Sequence, residues 1–78
     1  RMKHLIFDFH QDGGHAWLKV SKDLFNRTNL TAKHISSFSY HDNNNYYLEE
    51  DCDATMYLNN LKDQGIKYSF INIDYICV

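Results

Sequence analysis

Apolar and polar positions alternate over Lys3–His10, with Leu5, Phe7 and Phe9 on one side and His4, Ile6, Asp8 and His10 on the other. That period of two marks a strand, and the first set is the better core face. Ala16, Leu18 and Val20 alternate against Trp17 and Lys19 in a second strand. Between them, Gln11–Asp12–Gly13–Gly14 predicts a hairpin loop of about four residues, because glycine takes positive φ without a side-chain penalty. Ser21 is the expected N-cap of a short helix of about two turns, ending between Asn26 and Asn29, with Leu24 and Phe25 on its buried side. Ile35–Tyr40 and Tyr46–Glu50 read as a second hairpin around His41–Asn45. Phe38 and Tyr40 share one face there, Tyr46 and Leu48 share the core-facing side of the second strand, and the turn relies on Asn as the residue next able, after glycine, to adopt positive φ.

The strongest helical pattern follows an acidic run. Four of the five residues Glu49–Asp53 are acidic, and they precede the stripe Ala54, Tyr57, Leu58 and Leu61. Those spacings place one apolar face on a helix. Asp51 or Asp53 is expected to accept hydrogen bonds from first-turn N–H groups, where the helix field also favours negative charge. Gly65 signals the end of the helix near Gln64. Ile66–Ile73 reads as the last strand, but its alternation slips at Phe70–Ile71, which predicts a bulge or burial of both faces. The apolar tail Asp74–Val78 is expected to dock or to extend that strand. The element order is therefore ββαββαβ. The expectation is a single α+β domain spanning residues 2–78, with an antiparallel sheet and two helices packed on one face.

Composition narrows the function classes. With 78 residues, the chain has room for one modest core. No apolar run is long enough to span a bilayer as a helix, so no membrane partner is expected. Net charge is -2, but it is unevenly spread. Residues 1–39 carry six Lys or Arg against three Asp, a balance of +3, and residues 40–78 carry two Lys against seven acids, a balance of -5. No basic patch of the kind that binds phosphate backbones emerges, so direct nucleic-acid binding is not expected. Arg1–Met2–Lys3 runs straight into mixed sequence. An intracellular setting is therefore expected, with Cys52 and Cys77 as reduced thiols.

Three features carry candidate chemistry. Asp8, His10, Asp12 and His15 surround the first turn, and imidazoles with carboxylates could bind a divalent metal or act as a general base. No regular zinc-site spacing accompanies them, so the leading expectation is no metal and no cofactor. Cys52 lies at a helix start, which favours a thiolate, but its acidic neighbours oppose that effect. It reads as a buried, inert thiol. The third feature is an excess of aromatic side chains over what a core this small can hide. Trp17 and Tyr47 fall on the strand faces opposite the core, and exposed Trp and Tyr bury large contact area with few rotatable bonds. With Lys19, Glu49, Glu50 and Asp51 they form the candidate binding surface.

Three segments carry a resemblance. Asp12–Val20 (Asp-Gly-Gly-His-Ala-Trp-Leu-Lys-Val), Ile35–Tyr40 and Tyr47–Ala54 (with Leu-Glu-Glu-Asp-Cys-Asp at its centre) resemble a family of small uncharacterised proteins of bacteriophages, prophages and plasmids. The resemblance implies a mobile-element origin and a bacterial cytoplasmic setting, and it brings no catalytic residues with it. It suggests a non-enzymatic module that binds a host protein or complex, such as an inhibitor of a host defence nuclease of the CRISPR kind. Two other readings stand beside it. One is a small metal-dependent or thiol enzyme using His10, His15 and Cys52. The other is a structural or regulatory homodimer formed through exposed aromatics or the last strand.

Overall fold

The computed structural model describes residues 4–74. The elements are β1 (His4–Asp12), β2 (His15–Ser21), α1 (Lys22–Phe25), a 3-10 turn (Ala32–His34), β3 (Tyr40–His41), β4 (Asn45–Glu49), α2 (Asp53–Asp63) and β5 (Lys67–Asp74). The α+β order ββαββαβ read from the sequence is the order of the fold. Tyr75–Val78, with Cys77, lie outside the described residues.

The five strands form one sheet in the order β3-β4-β2-β1-β5. It is mixed rather than wholly antiparallel, because β5 runs parallel to β1. The reason is the return path. α2 carries the chain from the far end of β4 back along the sheet, so β5 must start where β4 starts. β4 and β1 both run antiparallel to β2, hence parallel to each other. A strand–helix–strand crossover of this kind yields a parallel relation, where a tight hairpin yields an antiparallel one.

Both helices pack on one face. Phe7, Leu18, Val20 and Leu48 of the sheet meet Phe25 of α1 and Ala54, Tyr57 and Leu61 of α2 in a single buried cluster. Phe25 stacks on Tyr57 with ring centroids 5.6 Å apart, and Phe7 meets the edge of the same tyrosine at 5.8 Å. The alternation in β1, β2 and β4 therefore selects the core face as the sequence indicates.

Local details depart from the sequence reading. The first hairpin turns on two residues, Gly13–Gly14, with Gly13 at φ 22°. α1 is one turn long rather than two, although Ser21 caps it by accepting the Leu24 N–H at 3.1 Å. Such a short helix has too few internal hydrogen bonds to persist without Phe25 in the core. In the second hairpin no asparagine takes positive φ. Instead the Asp42 carboxylate accepts the N–H groups of Asn44 (2.9 Å) and Asn45 (2.8 Å), closing the turn through a side chain. Those two backbone donors, then the Tyr47 hydroxyl, hold the Asp42 carboxyl below its ordinary range.

The last strand contains neither a bulge nor two buried faces. β5 pairs with β1 without interruption from Lys67 to Asp74. Phe70 and Ile71, where the alternation slips, are 45% and 53% exposed on opposite faces of this edge strand.

A candidate aromatic–acidic binding groove

The site begins with register. β2 and β4 pair so that Trp17 lies opposite Glu49 and Lys19 opposite Tyr47, and β3 sets Tyr40 opposite Tyr47. Core-facing Leu18 pairs with Leu48, so these flanking pairs project to the face away from the helices. Their rings form a continuous series. His15 stacks on Trp17 at 5.7 Å, Trp17 meets the edge of Tyr40 at 5.7 Å, Tyr40 stacks on Tyr47 at 4.7 Å, and Tyr47 meets His10 edge-on at 5.8 Å. This face partly covers itself: His10 is buried, and Trp17, Lys19 and Tyr47 are half-buried.

The second component is a loop where the sequence predicted a strand. Only Tyr40 and His41 pair with β4, and Ile35–Ser39 runs as an irregular segment. Asp53 accounts for this. Its buried carboxylate accepts the Ser36 N–H (2.9 Å), the Ser36 hydroxyl (2.7 Å) and the Ser39 hydroxyl. The Ser39 oxygen in turn accepts the Glu49 N–H at 2.9 Å, joining the end of β4 to the start of α2. Three bonds to a charged acceptor outcompete the weak ladder that an edge strand would offer. Burial by itself would raise the Asp53 carboxyl; the bonds from Ser39 and Ser36 outweigh it and hold the group below the usual carboxylate range. Neither Asp51 nor Asp53 caps α2, contrary to expectation; Cys52 is the N-cap residue, without a side-chain cap bond.

Pinning the loop sets Phe38 in place. Its carbonyl accepts the Trp17 indole N–H at 3.3 Å, and the residue stands 71% exposed. Between this ring and the β4–α2 junction lies an open groove of about 720 Å³ lined by Gly14, His15, Trp17, Phe38, Glu49, Glu50, Asp51 and Cys52. Glu49, Glu50 and Asp51 each offer a carboxylate oxygen within 4.8 Å of the others. The Asp51 N–H donates to Glu49 at 3.0 Å and steadies the bend that gathers them. Three like charges this close repel one another, and a cation at their centre would relieve that repulsion.

Of the candidate binding residues, Trp17, Glu49, Glu50 and Asp51 line this groove together. Lys19 and Tyr47 lie on the same face beside it, with the Tyr47 hydroxyl donating to Asp42 at 3.0 Å. The first-turn set Asp8, His10, Asp12 and His15 shares one face; Asp12 pairs directly opposite His15, but His10 and Asp8 lie farther back along β1, so the four are not gathered. Same-face positions along a strand stand about 6.5 Å apart. Among the described residues, the carboxylate trio of Glu49, Glu50 and Asp51 is the one group of metal-ligating type with mutually close donor atoms. His15 reaches the groove; His10 is buried at the far end of the ring series. Cys52 is a free, exposed thiol on the groove wall, not a buried one. Phe38, Ser36, Ser39 and the structural role of Asp53 escaped the sequence reading. The Ser-x-x-Ser spacing of Ser36 and Ser39 was the available signal, hidden by an apparent strand alternation. Among the described residues no helix is long and apolar enough to cross a membrane. No family model, curated protein or solved structure matches the chain.

Proposed function

We propose that this protein is a non-enzymatic protein-binding module whose groove takes a basic segment of its partner. The groove itself carries the reading: two large aromatic side chains and three clustered carboxylates line it together. An Arg or Lys side chain fits that chemistry. Its aliphatic stem and charge pack on Trp17 and Phe38, and its donors pair with Glu49, Glu50 or Asp51. By analogy with the phage, prophage and plasmid proteins it resembles, the partner we propose is a host protein, with a host defence complex as the first choice.

Affinity purification from a phage-infected or plasmid-bearing bacterial host, followed by mass spectrometry, identifies stoichiometric partners. Calorimetry with the recovered partner then compares wild type with a Glu49→Gln, Glu50→Gln, Asp51→Asn triple variant. Loss of binding in the triple variant is the expected result; unchanged affinity sinks the reading.

His15 and Cys52 lining the same groove favour a second reading, a small thiol or metal-dependent enzyme. A Cys52→Ser variant that keeps its stability but loses activity in the host would move this reading ahead. So would one equivalent of a transition metal in the purified protein that the triple variant lacks.

A further inference from the structure

We infer that β5 is a self-association edge, through which two copies of this chain join their sheets across a two-fold axis at Ile71. This inference is independent of the groove, which lies toward the other side of the sheet. Among the described residues β5 pairs only with β1, leaving its outer side as the end of the sheet. Such an edge invites another strand unless it is short, bulged or interrupted by proline or charge. β5 has none of these protections: it is eight residues long and regular in register, and between its charged ends it reads Tyr-Ser-Phe-Ile-Asn-Ile. The protein contains no proline.

The slipped alternation of β5 now acquires a purpose. It exposes Phe70 on the helix face and Ile71 on the open face, with Ile6 of β1 also 65% exposed on that open face. One neighbour added at the edge would cover apolar surface on both faces at once. A second copy of β5 fits better than an arbitrary strand. A two-fold axis perpendicular to the sheet pairs the strands antiparallel and keeps each face continuous, so one contact closes both unpaired edges. A parallel arrangement would instead set Lys67 beside Lys67 of the other copy. With the axis at Ile71, that residue meets its own copy, Phe70 lies opposite Asn72, and Ser69 opposite Ile73. Ile6, Ile71 and Ile73 of both copies then form one apolar strip over the joined sheets.

Sedimentation equilibrium of the full chain across a wide concentration range tests the proposal, with hydrogen exchange of the β5 amides measured alongside. The expected result is a reversible dimer whose β5 protection rises with concentration. Ile71→Lys is expected to raise its dissociation constant at least about tenfold while leaving the circular dichroism unchanged. Should that variant misfold, the register is read by cross-linking in a Cys52→Ser, Cys77→Ser background. There Ile71→Cys is expected to form an intermolecular disulfide under mild oxidation, and Ser69→Cys is not. A monomer with unprotected β5 amides overturns the inference, since the edge then awaits a foreign strand or none. A monomer whose outward-pointing β5 amides, those not bonded to β1, are protected also overturns it, because the chain then covers its own edge. So does a dimer that ignores Ile71→Lys or cross-links through Ser69→Cys.

Discussion

Asp53 shows how one buried side chain decides local structure. Its carboxylate replaces water with three donors from Ser36 and Ser39, and so holds a loop against the start of α2. Asp53→Asn should keep the shape but lose charge-assisted bonding, at a cost of about 1–3 kcal/mol in urea melts at pH 7. The pH dependence follows from the direction of the shift. A carboxyl held below its unfolded value of about 3.9 stabilises the fold above that pH. The contribution is lost as pH falls through the lower folded value. The stability gap between wild type and Asp53→Asn should therefore close progressively below about pH 4; a gap that stays constant would contradict the bonding described. Tyr57 presents the opposite case. Burial pushes its hydroxyl up to about 12, and that oxygen has no hydrogen-bond partner among the described residues. Tyr57→Phe removes an unpaid desolvation cost and keeps the ring contacts with Phe7 and Phe25. It should stabilise the protein by about 1 kcal/mol, read as a higher urea midpoint.

At the scale of elements, α2 is the best-specified piece. Its end closes with the Ile66 N–H on the Leu61 carbonyl and the Gly65 N–H on that of Lys62, while Gly65 sits at φ 75°. A Cβ added at Gly65 would meet nothing within 4 Å. Gly65→Ala should therefore lose only the backbone preference, about 1 kcal/mol in denaturant melts, with no change of fold. A loss of several kcal/mol would mean that the left-handed geometry is tied to packing as well. The weaker elements depend on others. α1 is a single turn capped by Ser21, and β3 is a two-residue strand beside β4. Their boundaries follow from what α2 and β4 offer as partners, which no propensity within residues 22–41 encodes.

The whole molecule separates its work by face. One face carries both helices and the core, and the other carries the ring series from His15 to His10 and the acidic rim. Trp17 lies outside the core, yet it stacks with His15, meets Tyr40 edge-on and donates to Phe38. Trp17→Ala is thus expected to lose stability as well as binding, which makes Phe38→Ala the cleaner probe of the groove. Phe38→Ala should leave the thermal midpoint nearly unchanged and weaken partner binding by about 1–4 kcal/mol. An unchanged affinity would remove Phe38 from the contact surface. Groove binding of a basic segment should also weaken as salt rises from low to physiological concentration, because part of its carboxylate rim remains in contact with water.

The alternations at Leu5–Phe9, Ala16–Val20 and Tyr46–Leu48 identified the core face of three strands. The spacing Ala54–Tyr57–Leu61, with Gly65 beyond it, identified the principal helix. Those signals are legible because each strand or helix turn repeats one burial choice several times over. The same repetition placed Trp17 and Glu49 on the open face before any strand order was known. What remained hidden depended on single contacts between distant segments. Ser36 and Ser39 meet Asp53 only after α2 packs on the sheet, and their bonds, not an alternation of apolar residues, shape the chain from Ile35 to Ser39. The parallel pairing of β5 likewise follows from the path of α2 across the sheet. Phe38 joined Trp17, Glu49, Glu50 and Asp51 in one groove because a buried carboxylate draws its loop inward. A one-dimensional pattern records which face a residue takes, but tertiary packing decides which faces meet.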